Sequence, residues 1–235
     1  MLSYDEIKKN IDVLESRIQA ACDRSGRKRD EVTLIAVSKM NPIDAVLIAN
    51  DCGLTVFGEN KVQEMCGKMD ETDRALEWHL IGHLQTNKVK YIVGRAAMIH
   101  SVDSVKLALE IEKESAKKNL ITPILLEMNV ANEESKFGLS ADELLDTVNQ
   151  ISGMKHIKLC GLMTVAPYTE DPESNRKYFK KLKDLSVDIN SKNIDNVNMS
   201  VLSMGMTGDF EVAIEEGATH IRVGTGIFGA RDYNT

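Results

Sequence analysis

The sequence predicts an α/β protein built as a single (β/α)8 barrel, the TIM-barrel class. Eight apolar runs of strand length alternate with helical patterns along the chain of 235 residues. Such regular alternation requires parallel strands joined by right-handed crossovers, and eight units in about 200 residues are typical of a closed barrel. A doubly wound open sheet is the alternative. The barrel is favoured because the units number eight and no GxGxxG motif follows the first strand.

The first predicted element is an extra helix within residues 1–26 that packs on the barrel. Ser3 and Glu6 have the spacing of a capping box, in which each side chain bonds a free backbone N–H of the other residue. Gly26 is the stop signal. An apolar stripe that must face a core follows the cap and consists of Ile7, Ile11, Leu14 and Ile18.

The strands and helices of the barrel follow without a linker-like segment, so we expect one domain over residues 1–235. The strands are predicted at 32–38, 54–58, 76–82, 96–102, 122–130, 157–165, 196–203 and 219–224. The helices are predicted at 42–53, 61–71, 86–94, 104–119, 175–190 and 209–217, with one more after the capping box of Ser140 and Glu143.

Composition and charge restrict the classes of partner. The net charge is −7, the pI is about 5.3, and no block of Lys and Arg lies beside clustered aromatic residues, so no nucleic-acid partner is expected. The four cysteines form no CxxC pair, which indicates reduced thiols. The N-terminus resembles neither a signal nor a transit peptide, and no apolar run is long enough to cross a membrane. We expect a cytoplasmic protein and a monomer.

Polar residues gather at the predicted carboxyl ends of the strands. In a β/α barrel this end, here called the rim, holds the active site. The residues at the eight strand ends are Ser38-Lys39, Glu59-Asn60, Gly82-His83, His100-Ser101, Asn129, Met163-Thr164, Ser203-Met204 and Arg222. His79 and His83 lack a cysteine or carboxylate partner at zinc spacing, so no metal site is predicted.

The segment RVGTGIFGAR, residues 222–231, has the composition of a phosphate-binding turn. Gly224 and Gly226 let backbone N–H groups approach an oxyanion, and Thr225 adds a hydroxyl. Phosphate sites after strands 7 and 8 recur in this fold, and Ser203 is a further donor at the predicted end of strand 7. The alternative is that the glycines only make a tight turn.

Arg222 lies within the last strand, two residues before Gly224. An arginine that points inward stays charged and needs an acceptor, such as a ring nitrogen, Glu59 or another rim carboxylate. An arginine that points outward would cover helix surface instead. The sequence pattern leaves both orientations open.

Lys39 follows the first strand, where a charged side chain is costly to bury. A partly desolvated lysine has a lowered pKa and supplies the neutral amine that forms an imine with a carbonyl compound. The alternative is a lysine that extends into solvent. Strands 1 and 8 are neighbours in a closed barrel, so the amine and the phosphate site would lie side by side. That pairing suits pyridoxal 5′-phosphate (PLP), or a sugar phosphate bound by an aldolase.

Several blocks of the sequence, in order, resemble the pyridoxal phosphate homeostasis protein family (YggS/PROSC-type proteins) over essentially the whole chain. The blocks are LIAVSK (34–39), FGEN (57–60), VQE (62–64), WHLIGHLQTNK (78–88), SVDS (101–104), GLM (161–163) and LSMGMTGDFEVAIEEGATHIRVGTGIFGAR (202–231). The resemblance implies that Lys39 forms a Schiff base with the PLP aldehyde and that Arg222 faces the pyridine nitrogen. It also implies that Ser203, Gly224 and Thr225 bind the phosphate.

The resemblance also bears on the edge of the pocket. It implies that Asn60 lines the pocket and that Lys136 lies at its edge, where we also expect Met163 and Met204. Lys61 stands where members of the family usually have tyrosine. A role of that tyrosine at the pocket edge would therefore have no counterpart in this chain.

The predicted barrel resembles the N-terminal domain of alanine racemase, and two features favour storage of PLP over catalysis. Racemases carry a second domain, whereas we expect none in this protein, because the sequence ends shortly after the eighth unit. An arginine at the ring nitrogen also disfavours the protonated pyridinium that makes PLP a strong electron sink.

We therefore expect a non-catalytic protein of PLP homeostasis that buffers and protects the cofactor, with delivery to apo-enzymes as a further expectation. Its effects on amino-acid and keto-acid metabolism would be indirect, and no residue is assigned a catalytic role. The alternatives are a PLP-dependent amino-acid racemase, a Schiff-base aldolase acting on a sugar phosphate, and an interaction module for which PLP is a signal.

Overall fold

Eight parallel strands close into a barrel in the computed structural model, which describes residues 2–133 and 136–229. The strands are β1 Thr33–Val37, β2 Val56–Glu59, β3 Glu77–Leu80, β4 Met98–Val102, β5 Thr122–Glu127, β6 Ile157–Met163, β7 Val197–Met206 and β8 His220–Val223. Each strand pairs with the next along the chain, and β8 closes the barrel on β1 with Ala36 opposite Val223. The barrel prediction is confirmed, and the open-sheet alternative is wrong.

The described ranges leave out Met1, Glu134, Ser135 and residues 230–235, which include the last two positions of the predicted phosphate turn, Ala230 and Arg231. The prediction of one domain over residues 1–235 includes these positions and stays a prediction. Within residues 2–133 and 136–229, no helix has the length and hydropathy that crossing a membrane requires.

Helices alternate with the strands and bury one apolar face each, as in Ile111, Val148 and Leu182 of the longer ones. The helices are α1 Tyr4–Arg24, α2 Ile43–Asp51, α3 Val62–Asp70, α4 Val89–Ile92, α5 Val105–Lys117, α6 Ala141–Ser152, α7 Arg176–Ser191, α8 Phe210–Glu215 and α9 Thr225–Phe228. The predicted helix 86–94 is shorter than expected, because a 3-10 turn, Thr86–Lys88, precedes α4.

The N-terminal helix begins at the predicted capping box. The backbone N–H of Ser3 donates to Glu6 Oε2 at 2.8 Å, and the N–H of Glu6 donates to Ser3 Oγ at 3.4 Å. All four residues of the predicted apolar stripe are buried. The helix contacts α8 and α9, so it lies on the outside of the barrel beside β8.

The seventh strand is longer than the sequence predicts. The predicted end at Ser203 is wrong, because β7 continues to Met206, which pairs with Arg222 of β8. The pairing register shifts between Ser203 and Met206, and Gly205 has a φ of +89°. Glycine tolerates this left-handed conformation, so the strand bends instead of ending. Ser203 consequently lies inside the strand and below the rim.

Candidate functional site

The rim places Lys39 beside the turn that follows β8. Ser38 continues the pairing of β1 through an N–H···O bond to Gly58 at 3.1 Å, and Lys39 follows in a turn, partly buried. Ala36 pairs with Val223, so Lys39 and Gly226 each lie three residues beyond the same pairing. The predicted neighbourhood of the lysine and the glycine turn is therefore present in the fold.

A buried ion pair supports the turn that carries Lys39. Lys68 of α3 donates to Glu59 Oε1 at 2.5 Å and to the carbonyl oxygen of Ser38 at 2.7 Å. Ser38 Oγ donates to the same carboxylate oxygen at 2.6 Å. Glu59 is completely buried, and its Oε2 atom has no hydrogen-bond partner among the described residues. Burial raises the pKa of Glu59, against the opposing effect of Lys68.

Arg222 points into the barrel, so the outward orientation considered from the sequence is wrong. Its side chain is buried, and its two terminal nitrogens donate to Ser203 Oγ at 2.6 Å and to the carbonyl oxygen of Thr164 at 2.8 Å. Pairing with Glu59 is wrong as well, because the terminal nitrogens of Arg222 donate to Ser203 and Thr164, whereas Glu59 forms its ion pair with Lys68. Burial lowers the pKa of Arg222 to about 10, so the guanidinium is charged at neutral pH.

The hydroxyl of Ser203 forms its hydrogen bonds inside the barrel. Ser203 is completely buried and lies between Arg222 and His100, whose Nδ1 atom is 2.9 Å from Ser203 Oγ. At the rim it is Thr207, directly after β7, that approaches the glycine turn, with Thr225 Oγ1 donating to Thr207 Oγ1 at 3.2 Å. The predictions for Thr225 and Gly224 thus concern the rim, whereas Ser203 lies one layer below them.

Thr207 is the residue that the sequence reasoning missed. A Cβ atom on Gly226 would lie 2.8 Å from Val223 Cγ1 and 3.4 Å from Thr207 Cγ2, so the two loops are packed closely. Gly224 accepts the N–H groups of Ile227 and Phe228, both at 2.9 Å, and thereby begins α9. The signal for Thr207 was its hydroxyl in the segment GMTG, which becomes visible once β7 is seen to end at Met206.

The cavities nearest the rim lie beside strands 5 to 7. One of about 200 Å³ is lined by Glu127, Asn129, Lys136, Phe137 and Val165, and one of about 320 Å³ extends from Lys136 to Asp209. Lys136 forms an ion pair with Glu133 at 2.8 Å. Burial and the nearby Asp103 raise the pKa of Glu127 to about 7, which sequence reasoning did not foresee.

Three of the remaining predicted positions differ in accessibility. Met163 and Met204 are completely buried. Asn60 is partly buried in the loop after β2.

His79 and His83 do not face a common point, because His79 is buried against His100 whereas His83 stacks on Phe137 with ring centroids 3.8 Å apart. Within the part of the chain that the structure describes, no cluster of three metal-ligating side chains occurs.

The backbone of Asn60 packs closely against Gly82, which follows the neighbouring strand β3. A Cβ atom on Gly82 would lie 2.5 Å from the carbonyl oxygen of Asn60 and 2.7 Å from its Cα. Ser101 Oγ fixes the other side of Gly82 by donating to its carbonyl oxygen at 2.6 Å. The loop that carries Asn60 therefore depends on the absence of a side chain at Gly82.

We expect Gly82→Ala to displace Asn60 and to lower the free energy of unfolding by about 2–3 kcal/mol, because the added methyl group meets backbone atoms that cannot move aside cheaply. Urea unfolding measures this change. Gly67→Ala is the matched control: no atom lies within 4 Å of its Cβ position in α3. It should stabilise the helix by about 0.5–1 kcal/mol. Equal stabilities of the two variants would contradict the close packing.

The chain is similar to two groups of proteins by sequence. The family model described as alanine racemase, N-terminal domain, matches residues 3–232. The pyridoxal phosphate homeostasis protein of Aquifex aeolicus is 46% identical over 222 residues, which are 94% of this chain and 96% of that protein. These matches confirm the resemblance that the motifs indicated.

Two solved structures share the barrel. PipY of Synechococcus elongatus, solved with PLP bound, superposes with a TM-score of 0.83 at 32% identity, covering 95% of this chain and 100% of that one. An alanine racemase of Clostridium difficile superposes with a TM-score of 0.76, at 10% identity, over 98% of this chain and 58% of the racemase. At that identity the racemase shows the fold alone, and it confirms the predicted likeness of the barrels.

Proposed function

Since the chain belongs to the pyridoxal phosphate homeostasis protein family, we propose that it binds PLP at the rim and holds it in a protected store for apo-enzymes. The relatives support the ligand, because PipY, at 32% identity, was solved with PLP bound. The residues support it independently, because they combine an amine, a buried cation and a hydroxyl-lined glycine turn at one end of one barrel.

The observation that carries the proposed function is the buried guanidinium of Arg222. Its two hydrogen-bond acceptors, Ser203 Oγ and the Thr164 carbonyl, are both neutral, and the carboxyls that act on its charge, Glu127 and Asp209, are not among its hydrogen-bond partners in the described residues. A buried cation of this kind suits a ligand with a further hydrogen-bond acceptor. The unprotonated pyridine nitrogen of PLP is such an acceptor.

Each rim group has a part in holding the cofactor. PLP would supply an aldehyde, and the Lys39 amine would hold it through a C=N bond, the Schiff base, with the release of one water. The glycine turn at Gly224, with the hydroxyls of Thr225 and Thr207, would hold the phosphate. Asn60 would line the pocket beside Lys39, and Lys136 would border it at the cavity that it lines.

The same arginine favours storage over turnover. Arg222 is charged at neutral pH and donates hydrogen bonds, so a ring nitrogen facing it stays unprotonated. An unprotonated ring withdraws electrons weakly, which disfavours carbanion chemistry on a bound amino acid. We infer a non-catalytic, cytoplasmic monomer whose net charge of −7 does not suit nucleic acid.

One observation favours a second candidate, an amino-acid racemase. Glu127 lies at the rim and has a pKa of about 7, which suits a group that exchanges protons near neutral pH. In that case Glu127 would move a proton on the substrate. We regard storage as the better-supported function because Arg222 works against the electron demand of racemisation.

A transfer assay with a phosphatase present tests the storage function. PLP-loaded protein is mixed with the apo form of a PLP-dependent enzyme and with a phosphatase that destroys free PLP. We expect the apo-enzyme to gain activity and the bound PLP to survive longer than free PLP. Destruction at the rate of free PLP, with no activation, would exclude storage. Racemisation of an amino acid with a kcat of about 1 s⁻¹ or more would instead establish the enzyme.

A further inference from the structure

A chain of hydrogen bonds crosses the barrel interior from its amino-terminal end to Arg222. Glu77 Oε1 lies 2.8 Å from His79 Nε2, and His79 Nδ1 lies 2.8 Å from His100 Nε2. His100 Nδ1 lies 2.9 Å from Ser203 Oγ, which accepts a hydrogen bond from Arg222 at 2.6 Å. We call these five residues the barrel relay.

The relay runs through the interior because one of its bonds joins two strands that are not neighbours. His100 is on β4 and Ser203 is on β7, so their side chains meet across the barrel. Glu77 is the first residue of β3 and its side chain is 55% exposed, whereas His79, His100 and Ser203 are buried. The relay therefore connects solvent at one end of the barrel with the site at the other.

When the rings of His79 and His100 are both neutral, only one assignment of donors and acceptors satisfies all of these hydrogen bonds. The bond to His79 lowers the pKa of Glu77, so its carboxylate only accepts and His79 Nε2 must carry the hydrogen. His79 Nδ1 is then an acceptor and takes the hydrogen of His100 Nε2. His100 Nδ1 becomes an acceptor in turn, and the Ser203 hydroxyl donates to it.

The surroundings of His100 disfavour the charged form of its ring. Burial lowers the pKa of His100 well below its usual value, with His79, His220 and Arg222 acting in the same direction. His220, whose ring centroid is 6.0 Å from that of His79, has a pKa of about 4, and its Nδ1 is 3.0 Å from Thr219 Oγ1. Two carboxyls act in the direction of a higher pKa of Arg222: Glu127 at the end of β5 and Asp209, the residue before α8.

We propose that Glu77, His79 and His100 are positioning residues, which orient the Ser203 hydroxyl and thereby hold Arg222 from the opposite end of the barrel. With its hydrogen committed to His100, Ser203 presents lone pairs to Arg222 and keeps one guanidinium nitrogen occupied. The remaining N–H groups of Arg222 are then aimed at the site. Only this last step rests on the proposed function, since the relay itself exists without a ligand.

The direction of the relay is measured on the cofactor-free protein by NMR with nitrogen-labelled histidine. We expect His79 and His100 to carry hydrogen on Nε2 and none on Nδ1 at pH 7.5. Glu77→Leu should remove the anchor and give mixed tautomers in both rings, whereas Glu71→Leu, an exposed glutamate after α3, should change neither. Hydrogen on His100 Nδ1 in the wild type, or unchanged tautomers in Glu77→Leu, would overturn the relay.

The effect on the site is measured by PLP binding. Glu77→Leu should raise the Kd for PLP about fivefold, the change expected for one weakened hydrogen bond. His100→Leu should weaken binding at least as much, and His100→Gln should restore it, because an amide both donates and accepts as the neutral ring does. Unchanged Kd in His100→Leu would overturn the positioning role. A wild-type protein that bound no PLP would contradict the proposed function. The NMR experiment would still test the relay, because it is done without the cofactor.

Discussion

Lys39→Ala should abolish the covalent capture of PLP. We expect the wild-type protein to be yellow when loaded and to retain one PLP after borohydride reduction, attached to the peptide that contains Lys39. The variant should show neither property, because alanine has no amine to form the C=N bond. Loss of the covalent contribution should raise the Kd for PLP by roughly two orders of magnitude, which corresponds to about 2.7 kcal/mol.

Two further variants separate the amine from its charge and its neighbours. Lys39→Arg keeps a positive charge at the rim but cannot form a Schiff base, so it should also lose the reducible adduct. Lys136→Ala removes the other predicted lysine, whose ion pair with Glu133 lies at the adjacent cavity, and should retain the adduct. An adduct that persists in Lys39→Ala and disappears in Lys136→Ala would place the covalent bond on Lys136 and contradict the assignment to Lys39.

The barrel and the position of Lys39 were predictable because their signals are local. Strand-length apolar runs, the alternation with helices and the capping boxes at Ser3 and Ser140 each lie within a few residues, and the structure has all of them. Closure of the barrel then follows from the number of units. Once strands 1 and 8 pair, Lys39 and the glycine turn after Arg222 must share one end.

The contacts of the site were less predictable because they depend on residues far apart in sequence. The sequence pattern predicts Ser203 at the rim, because this polar residue follows the apolar residues of the predicted strand, but β7 bends at Gly205 and continues to Met206. The burial of Ser203 is acceptable only because His100 and Arg222, from other strands, satisfy its hydroxyl. No periodicity in the sequence reports such a partner. The sequence pattern does not predict Thr207 at the rim for another reason, because it ends the strand at Ser203 and not at Met206.

Lys68→Met should destabilise the fold most among single changes near the site. Lys68 is 6% exposed and Glu59 is 0% exposed, and the lysine is the charged partner of that carboxylate. Removing it leaves a buried charge without compensation, which costs about 3–5 kcal/mol. The Ser38 carbonyl loses a donor at the same time, so the turn before Lys39 loosens and PLP capture should weaken as well.

The pH dependence and a double variant show whether the loss comes from the stranded carboxylate. Burial raises the pKa of Glu59 above its unfolded value, and the loss of Lys68 raises it further, so the folded variant binds a proton that the unfolded chain releases. The unfolding free energy of Lys68→Met should therefore fall as pH rises above about 4.5.

Glu59→Met combined with Lys68→Met should recover most of the stability, since apolar residues replace a buried ion pair at little cost. If the double variant were as unstable as Lys68→Met, the packing of the lysine chain, and not the uncompensated carboxylate, would be the origin of the loss.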